Sequence, residues 1–510
     1  MPERGCILDR KGSALAANIV SYAVFTTKKA QVDAQQRAKL AAILGLDKNI
    51  LAAKLDSGKN FVWLKRRVDP KVAEKVSGLK IFGLGKIREF KRFYPDSNLA
   101  CHIVGFTNID NEGLEGIEKQ CDRYLSGIKG WCSAEKDAKR REVVCWKQKS
   151  ILPSDGYDVV LTIDSVIQSI TERNLRKIAQ KYKVVSATAI VMDPANGDIL
   201  ALYNYPDYDL KNVQAYKSER RRNLAVTDSL EPGSSFKFIT AGAALEEKKI
   251  TLKNKIFCER GSYLTGGRVL HDYKPYGTLT FKEVIGHSSN IGTSKVAALL
   301  GNDLLYKYIR DFGFGELTGI ELPGEVRGLL RPTREWSHTS LASIAIGQEI
   351  GVTPLQLICA ISCVANNGLL LKPRIIKSIQ TKDGRFIKSF PVVEKRRVIS
   401  EETACLLKEV LTECVENGTG KEAQVEGYTT AGKTGTAQKP NPQGGYYKHK
   451  YFASFVGFVP VEQPRVAILV ILNDPHPLYF GGVVSAPVFR NIATETLRYL
   501  DTGAGPAPVH

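Results

Sequence analysis

A serine and a lysine three residues apart follow a turn signal near the middle of the chain. Pro232-Gly233 marks the turn, and the Ala- and Leu-rich residues after it predict a helix that opens at about Ser234. Residues three apart on a helix are neighbours, so the Ser234 hydroxyl is predicted beside the Lys237 amine. The hydroxyl becomes a nucleophile when a base takes its proton, and a lysine can be that base only with a lowered pKa. The free N–H groups of the first helical turn would stabilise an oxyanion nearby.

A second candidate pair, Ser288 and Asn290, lies in a loop that enters a predicted helix. The hydroxyl can pass a proton, and the amide can donate to a substrate carbonyl while accepting from a lysine. Taken alone, Ser-x-Asn is more often a loop or a helix cap. Ser-x-x-Lys is likewise a chance occurrence in most long chains, so each pattern needs the others before it indicates a site.

A third candidate is a run of small residues on a predicted strand, Lys433, Thr434, Gly435 and Thr436. Small residues let a substrate backbone approach and pair along a strand edge, and a lysine with two threonine hydroxyls suits a carboxylate. The alternative is a solvated edge strand protected by its lysine. The three patterns in this order, with long gaps between them, are much more specific than any one of them.

The chain has 510 residues and a formal net charge of +19, of which +12 falls in residues 1–150. It is long enough for two or three domains. A basic excess can serve an anionic membrane surface or an anionic polymer, and it is equally consistent with a solvated surface. We expect no nucleic-acid partner, because no finger spacing, basic-aromatic ribonucleoprotein pattern or arginine-rich arm is present.

The ten cysteines include no Cys-x-x-Cys pair, and the seven histidines show no ligand spacing to them. We therefore expect no metal and no cofactor. Cys132 and Cys145 flank a charged segment and could form a disulfide, whereas Cys359 and Cys363 have the spacing of thiols on one buried helix face. No stretch of about 18 apolar residues predicts a membrane span.

The secondary-structure patterns predict an α+β domain around the candidate site. Short strands and helices fill residues 1–150, including a strand at Tyr22–Thr27 and helices at Ala34–Leu44 and Asp69–Val76, and residues 126–155 predict an exposed hairpin or linker. Helical stretches fill residues 236–420, between strands at both ends, so we expect one mainly antiparallel sheet with helices on its faces. The other predicted strands are Tyr157–Ile163, Ala187–Met192, Asp198–Tyr203, Thr429–Thr436, Tyr451–Phe458 and Arg465–Leu472, and the flanking helices run from Asp164 or Ser165 to Tyr182 and from Ala486 to Leu500.

With these motifs the sequence resembles the class B penicillin-binding proteins, the monofunctional D,D-transpeptidases that cross-link peptidoglycan. The three patterns are those of penicillin-binding proteins, with Ser289 where Asp is usual in the second. The resemblance extends to residues 4–12, 92–95 and 113–118, and residues 226–234 resemble the septal, cell-division branch.

The resemblance implies two domains and a tail. Residues 1–150 would form a mixed α/β pedestal of the penicillin-binding protein dimerisation type. Residues 151–501 would form the transpeptidase domain, with a five-stranded antiparallel sheet and a helical subdomain, and residues 502–510 a flexible tail. It also implies a transmembrane anchor just before Arg4-Gly5, either removed or lying in an upstream segment, and a protein on the outer, periplasmic side of the cytoplasmic membrane.

Roles for the candidate residues follow from the resemblance. Ser234 would attack the penultimate D-Ala carbonyl of a stem peptide, with Lys237 as base. Ser288, assisted by Lys433, would relay the proton to the leaving amine, while Asn290 would hold the acyl-side amide and Lys237. The remaining residues would bind the substrate: Thr434 and Thr436 the terminal carboxylate, on the strand that contains Gly435, with the N–H groups of Ser234 and Thr436 forming the oxyanion hole.

The implied partners are peptidoglycan stem peptides, lipid-linked precursor strands, β-lactams, a membrane glycosyltransferase and other division proteins. Two alternatives stay open at this point. One is a β-lactamase or D,D-carboxypeptidase on the same scaffold, which would transfer the acyl group to water. The other is a non-catalytic penicillin sensor or division scaffold.

Overall fold

The computed structural model describes residues 2–132, 135–136, 142–143 and 150–502. Cys145, which could form a disulfide with Cys132, and the tail beyond residue 502 lie outside these residues. In the part of the chain that is described, no helix is long and apolar enough to cross a membrane.

The strands, in chain order, are β1 Ile7–Leu8, β2 Ala14–Thr27, β3 Phe61–Val68, β4 Leu84–Phe93, β5 Trp131–Cys132, β6 Glu135–Lys136, β7 Glu142–Val143, β8 Ser150–Ile151, β9 Asp158–Leu161, β10 Ser186–Met192, β11 Ile199–Tyr205, β12 Lys255–Phe257, β13 Ser262–Thr265, β14 Arg268–His271, β15 Thr278–Thr280, β16 Leu369–Leu371, β17 Ile376–Gln380, β18 Phe386–Ser389, β19 Glu394–Arg397, β20 Ala431–Pro440, β21 Tyr446–Val459 and β22 Val466–Asn473.

The helices are α1 Ala34–Leu44, α2 Lys48–Leu55, α3 Pro70–Gly78, α4 Cys101–Val104, α5 Gly116–Gln120, α6 Asp122–Leu125, α7 Ser165–Lys181, α8 Ser218–Arg221, α9 Leu224–Thr227, α10 Lys237–Glu246, α11 Phe281–Gly286, α12 Asn290–Asp311, α13 Ser340–Ala345, α14 Pro354–Ala365, α15 Glu401–Glu416, α16 Gly481–Val484 and α17 Ala486–Thr502. Short 3-10 turns add Val213–Ala215, Gly233–Phe236, Glu259–Gly261, Thr333–Glu335 and Lys421–Ala423.

A five-stranded antiparallel sheet in the order β11-β10-β22-β21-β20 forms the centre of the second half of the chain. Alternate residues of its strands point into two different apolar cores, so Ile190 packs on one face and Val191 on the other. Helix α14 covers the first face, and α7 and α17 cover the second. The predicted α+β fold is confirmed, with the strand that carries Lys433 at the edge of the sheet.

A second, seven-stranded sheet contains strands that lie far apart in the sequence. Its order is β18-β17-β9-β1-β2-β3, and β4 also pairs with β2. The parallel pair β1 and β9 joins Ile7 to Val159, and the antiparallel pair β9 and β17 joins Val159 to Ile379. Strands on both sides of residue 150 therefore share one sheet, and the division of the chain at that residue stays a prediction.

A buried cluster of charged side chains connects the three segments in the first half of the chain on which the family resemblance is based. Glu118, which is fully buried, accepts from Arg4 Nε at 2.7 Å and from Arg92 Nε at 2.6 Å. Arg4 also donates to Asp122 at 2.7 Å. Buried charges need partners. Arg4, Arg92 and Glu118 therefore have a structural role in the three segments, which are residues 4–12, 92–95 and 113–118.

Several local predictions hold. The Asn196-Gly197 turn joins β10 and β11 as an antiparallel hairpin, and the Asp164 carboxylate caps α7 by accepting from Val166 N and Ile167 N. Strands β20 to β22 lie within a few residues of the predicted ones. The predicted α-helical start at Ser234 is wrong in detail, because Gly233–Phe236 is a 3-10 turn and α10 begins at Lys237.

Candidate active site

Glycines allow the turn that carries Ser234 to pack closely against two other segments of the chain. Gly233 has φ +56°, and its N–H donates to the Gly347 carbonyl at 2.9 Å. A Cβ on Gly233 would lie 2.9 Å from the Ala437 Cβ, and one on Gly435 would lie 2.9 Å from the Pro232 carbonyl oxygen. The turn is therefore packed directly against β20, and only residues without a Cβ permit this distance.

The Lys237 side chain lies in the first turn of α10, fully buried, and reaches the Ser-x-Asn segment. Its Nζ donates to the Ser288 carbonyl oxygen at 2.6 Å and to Asn290 Oδ1 at 2.7 Å. The third neighbour is the Ser288 hydroxyl at 3.2 Å, which can act as a donor or an acceptor. Two obligate acceptors and one hydroxyl match a neutral amine, which has two hydrogens and one lone pair.

The environment of Lys237 favours that neutral form. Burial lowers its pKa well below the ordinary 10.5, and the nearby positive charge of Lys433 lowers it further. The Asp272 carboxylate acts in the opposite direction, because a negative charge stabilises the ammonium form. The loss of solvation is the largest contribution, so the site contains a lysine that can accept a proton.

Asn290 is held on both sides of its amide. Its Oδ1 accepts from Lys237, and its Nδ2 donates to the His271 carbonyl at 2.8 Å. One N–H of the amide nitrogen then remains for another acceptor. Ser288 has φ +62°, a conformation that non-glycine residues rarely adopt, and its carbonyl and hydroxyl both lie at Lys237.

The sequence did not indicate Asp272, the residue that anchors this segment. Its carboxylate accepts from the Ser289 hydroxyl at 2.6 Å, from Asn290 N at 2.5 Å and from Ile291 N at 3.1 Å. Asp272 follows β14, an exposed hairpin strand, and no spacing rule links it to the N-terminus of α12. Its only sequence signal is the acidic character that suits a helix N-terminus.

Lys433 lies on the edge strand and is fully buried. Its Nζ donates to the Thr434 carbonyl at 3.3 Å, and burial lowers its pKa. Its charge acts on Lys237, so the structure brings the lysines of the first and third patterns into one electrostatic environment. The Cys414 thiol of α15 lies beside both of them, although no cysteine pattern suggested it.

The threonines of the edge strand have defined partners. Thr434 Oγ1 shares a hydrogen bond of 2.6 Å with Thr419 Oγ1. Thr436 Oγ1 accepts from Gly481 N at 3.0 Å, so the hydrogen of its own hydroxyl is available to another acceptor. Thr419 and Gly481 were not indicated as site residues, because single contacts between distant loops leave no periodic signal.

The described residues contain no group of three or more His, Cys, Asp or Glu side chains that could hold a metal ion. Eight cysteines form no disulfide among the described side chains, including Cys359 and Cys363, which are buried as predicted. What the arrangement offers chemically is a serine on a packed turn, a buried lysine with a lowered pKa, and hydroxyl and amide groups around them. These are the parts of nucleophilic acyl transfer.

Two family models match the chain. The family described as penicillin binding protein transpeptidase domain matches residues 187–494. The family described as penicillin-binding protein dimerisation domain matches residues 1–161. Together these matches cover both of the sheets described above.

Relatives of the whole chain were also found. Stage V sporulation protein D of Bacillus subtilis (strain 168) is 37% identical over 505 residues, which are 97% of this chain and 78% of that protein. The peptidoglycan D,D-transpeptidase FtsI of Escherichia coli (strain K12) is 32% identical over 511 residues, 98% of this chain and 84% of that protein. Among solved structures, penicillin binding protein 3 of Mycobacterium tuberculosis, complexed with aztreonam, has a TM-score of 0.77 at 28% identity and covers 99% of this chain and 98% of that one.

Proposed function

The chain belongs to the class B penicillin-binding proteins, and on this basis we propose that it is a peptidoglycan D,D-transpeptidase that works through an acyl-enzyme on Ser234. The single observation that carries the proposal is the buried Lys237. It has a lowered pKa and donates two hydrogen bonds to groups that can only accept. With a neutral Lys237 as its base, Ser234 has what an acyl transfer requires.

In the first half-reaction, Ser234 Oγ forms a bond to the carbonyl carbon of the penultimate D-Ala. Lys237 takes the hydroxyl proton on its lone pair. The C–N bond to the terminal D-Ala then breaks, and the proton passes through the Ser288 hydroxyl, 3.2 Å from Lys237 Nζ, to the leaving amine. Lys433 assists as a buried cation whose charge disfavours a second positive charge on Lys237.

In the second half-reaction, the amine of another stem peptide attacks the acyl carbon. A new C–N bond forms, the bond to Ser234 Oγ breaks, and the proton of the amine returns to the serine by the same route. The peptide bond formed is the cross-link, and each cycle releases one D-Ala.

Substrate binding is assigned to the open edge of β20. The free hydroxyl hydrogen of Thr436 suits the terminal carboxylate, together with Thr434, on the strand that contains Gly435. The N–H groups of Ser234 and Thr436 form the oxyanion hole. The remaining N–H of Asn290 Nδ2 holds the amide on the acyl side.

We assign the protein to septal cell-wall synthesis, a role that the relatives named FtsI support. The assignment includes lipid-linked precursor strands, a membrane glycosyltransferase and division proteins as partners, and a place on the outer side of the cytoplasmic membrane. Depletion in the source cell is expected to give filaments, and rounded cells would contradict the assignment. A block confined to spore formation would favour the role for which stage V sporulation protein D is named.

The proposed mechanism is tested by mass spectrometry after incubation with a fluorescent penicillin. We expect one long-lived adduct on the peptide that carries Ser234 and none in Ser234→Ala. Rapid release of penicilloate would indicate a β-lactamase, and no adduct at all would indicate a non-catalytic scaffold. Incubation with a peptide ending in D-Ala-D-Ala and a labelled D-amino acid then separates transfer to an amine from transfer to water, because only a transpeptidase incorporates the label.

A further inference from the structure

A cleft of about 970 Å³ lies between two separate segments of the chain, and none of the residues assigned to acyl transfer lines it. Residues between 19 and 114 form one wall, and residues between 210 and 221 form the other. The Leu210 N–H donates to the Ser97 carbonyl at 2.9 Å, which attaches the second wall to the first. Anything bound in the cleft would contact both segments.

The charge of the lining has one sign. Five basic residues line the cleft, and none of the described residues that line it is acidic; the basic ones are Arg67, Lys91, Arg92, Lys211 and Arg221. Lys91 and Lys211 are exposed, come from different walls, and form no ion pair among the described side chains. Like charges on two facing walls repel each other, and a bound anion would remove this repulsion.

Two of the arginines have an N–H group that lacks a partner. Arg67 Nε and Arg92 Nη2 are buried and find no hydrogen-bond acceptor in the described part of the chain. Arg221 differs, because its Nε lies 3.5 Å from the Glu115 carboxylate in an ion pair. Arg92 is only 5% exposed, and its other two nitrogens are occupied by Glu118, Gly5 and Asn18. Buried polar groups are nearly always hydrogen-bonded, so two unpaired donors among the residues of one cleft indicate that an acceptor is missing.

Arg67 supports the same conclusion through its backbone. It has φ +55°, a conformation in which a side chain other than glycine is strained, and the Glu89 carboxylate accepts from its N–H. Burial lowers the pKa of its guanidinium, because a buried cation lacks solvation. A negatively charged group beside it would compensate for that loss.

We propose that this cleft binds a phosphate or pyrophosphate group. Guanidinium groups match the tetrahedral oxygens of such an anion. A group with more than one negative charge suits Lys91 and Lys211, the exposed cations on the two walls that form no ion pair among the described side chains. The apolar side chains Phe93, Phe106, Leu210 and Val213 line the same space and can contact the uncharged part of a larger phosphorylated molecule. The anion binds at the junction of the two walls, so its binding stabilises their relative position.

The test uses the whole chain in phosphate-free buffer and inorganic pyrophosphate as the probe. Calorimetric titration is expected to give saturable binding, and pyrophosphate is expected to raise the unfolding temperature. Lys91→Glu and Lys211→Glu are each expected to weaken the binding at least ~10-fold. Both side chains are exposed, so each variant should fold, which an unchanged unfolding temperature without pyrophosphate will verify.

Lys39→Glu is the matched control, because Lys39 is exposed, lies in the first half of the chain and does not line the cleft. It is expected to bind pyrophosphate like the unmodified chain. The absence of saturable binding would overturn the proposal. An equal loss in Lys39→Glu and Lys91→Glu would also overturn it, because the effect would then follow net charge alone.

Two further arms distinguish a soluble source of the phosphate from a lipid head group. Vesicles of phosphatidylcholine with phosphatidic acid, which carries a phosphomonoester, are compared with vesicles of phosphatidylcholine alone. A lipid phosphate is identified if the chain binds the vesicles with phosphatidic acid, if pyrophosphate displaces it from them, and if Lys211→Glu no longer binds them. Pyrophosphate binding without vesicle binding identifies a soluble phosphate, and the acyl-enzyme test above is independent of either result.

Discussion

The Asp272 carboxylate accepts a hydrogen bond of 2.6 Å from the Ser289 hydroxyl, the side chain between the two predicted catalytic residues of the Ser-x-Asn segment. Ser289 has no assigned chemistry, yet it is fully buried and its hydroxyl also accepts from Gly292 N at 2.9 Å. The pair therefore fixes the start of α12, and through it the positions of Ser288 and Asn290. It also puts a negative charge near Lys237.

Asp272→Asn is expected to lower the second-order rate constant for acylation by a β-lactam at least ~10-fold, which is ~1.4 kcal/mol of transition-state stabilisation. The reason is that an uncharged group holds the N–H groups of Asn290 and Ile291 less tightly. Stopped-flow acylation measures the effect. Asp303→Asn, an exposed site on the same helix, is the control, and equal rates in the two variants would contradict a positioning role for Asp272.

The pH dependence of acylation gives a separate prediction. The neutral form of Lys237 is the active base, so the rate should rise with pH and reach half its maximum well below pH 10.5. Removing the Asp272 carboxylate removes a group that raises the Lys237 pKa, so the midpoint should move to lower pH in Asp272→Asn. A movement to higher pH would show that the carboxylate does not act on this lysine.

Gly435→Ala tests the packing of the nucleophile turn against β20. The new Cβ would meet the Ser454 Oγ of β21 most closely, and it would lie 2.9 Å from the Pro232 carbonyl oxygen and 3.0 Å from the Ser235 Cβ. The Ser454 hydroxyl is the end of a side chain, whereas the Pro232 carbonyl belongs to the backbone, so the turn must move. We expect a loss of acylation rate of at least ~100-fold, or ~2.7 kcal/mol. Gly277→Ala is the matched substitution, because nothing lies within 4 Å of its Cβ position. An unchanged rate in Gly435→Ala would mean that the turn can shift at no cost.

Glu118→Gln is expected to destabilise the first half of the chain by ~3–5 kcal/mol, because it leaves two buried arginines without their common partner. Asp122→Asn serves for comparison, since the Asp122 side chain is 37% exposed; solvent screens its pair with Arg4, and we expect ~1 kcal/mol or less. Chemical denaturation measures both. Similar losses in the two variants would refute the assignment of Glu118 as the centre of the cluster.

The buried carboxyl group of Glu172 should make the free energy of unfolding depend on pH. Burial raises the pKa of its carboxyl to about 7, although Gln168 and Ala100 N donate to it. Between its ordinary 4.5 and about 7, the folded chain binds more protons than the unfolded chain, so the free energy of unfolding should fall as pH rises through this window. The loss is about 3 kcal/mol by pH 8. Glu172→Gln should lack it, and the same slope in both proteins would disprove the role of Glu172.

The sequence alone predicts features that depend on neighbouring residues better than features that depend on contacts between distant segments. The hairpin at Asn196-Gly197 and the Asp164 cap rest on neighbours in sequence, and each of these lies where local rules place it. The 3-10 turn at Gly233–Phe236 departs from the helix prediction because its φ and its contacts with β20 and Gly347 come from tertiary packing.

The site residues that the sequence did not indicate depend on contacts between distant segments. Asp272, Thr419 and Gly481 each act through one to three contacts with segments far away in sequence. Single hydrogen bonds between loops create no periodicity, no spacing and no composition bias. Only the three-dimensional structure can identify such residues.

The shared seven-stranded sheet has a consequence for synthesis of the protein. Ile7 pairs with Val159, and Val159 pairs with Ile379. The sheet that begins in the first residues can therefore be completed only after a strand much later in the chain has been made. Such long-range pairing is slow and leaves strand edges open in the meantime. The edge of β9 therefore stays unpaired until residue 379 has been made, and we expect a fragment that ends before β17 to aggregate through this exposed edge.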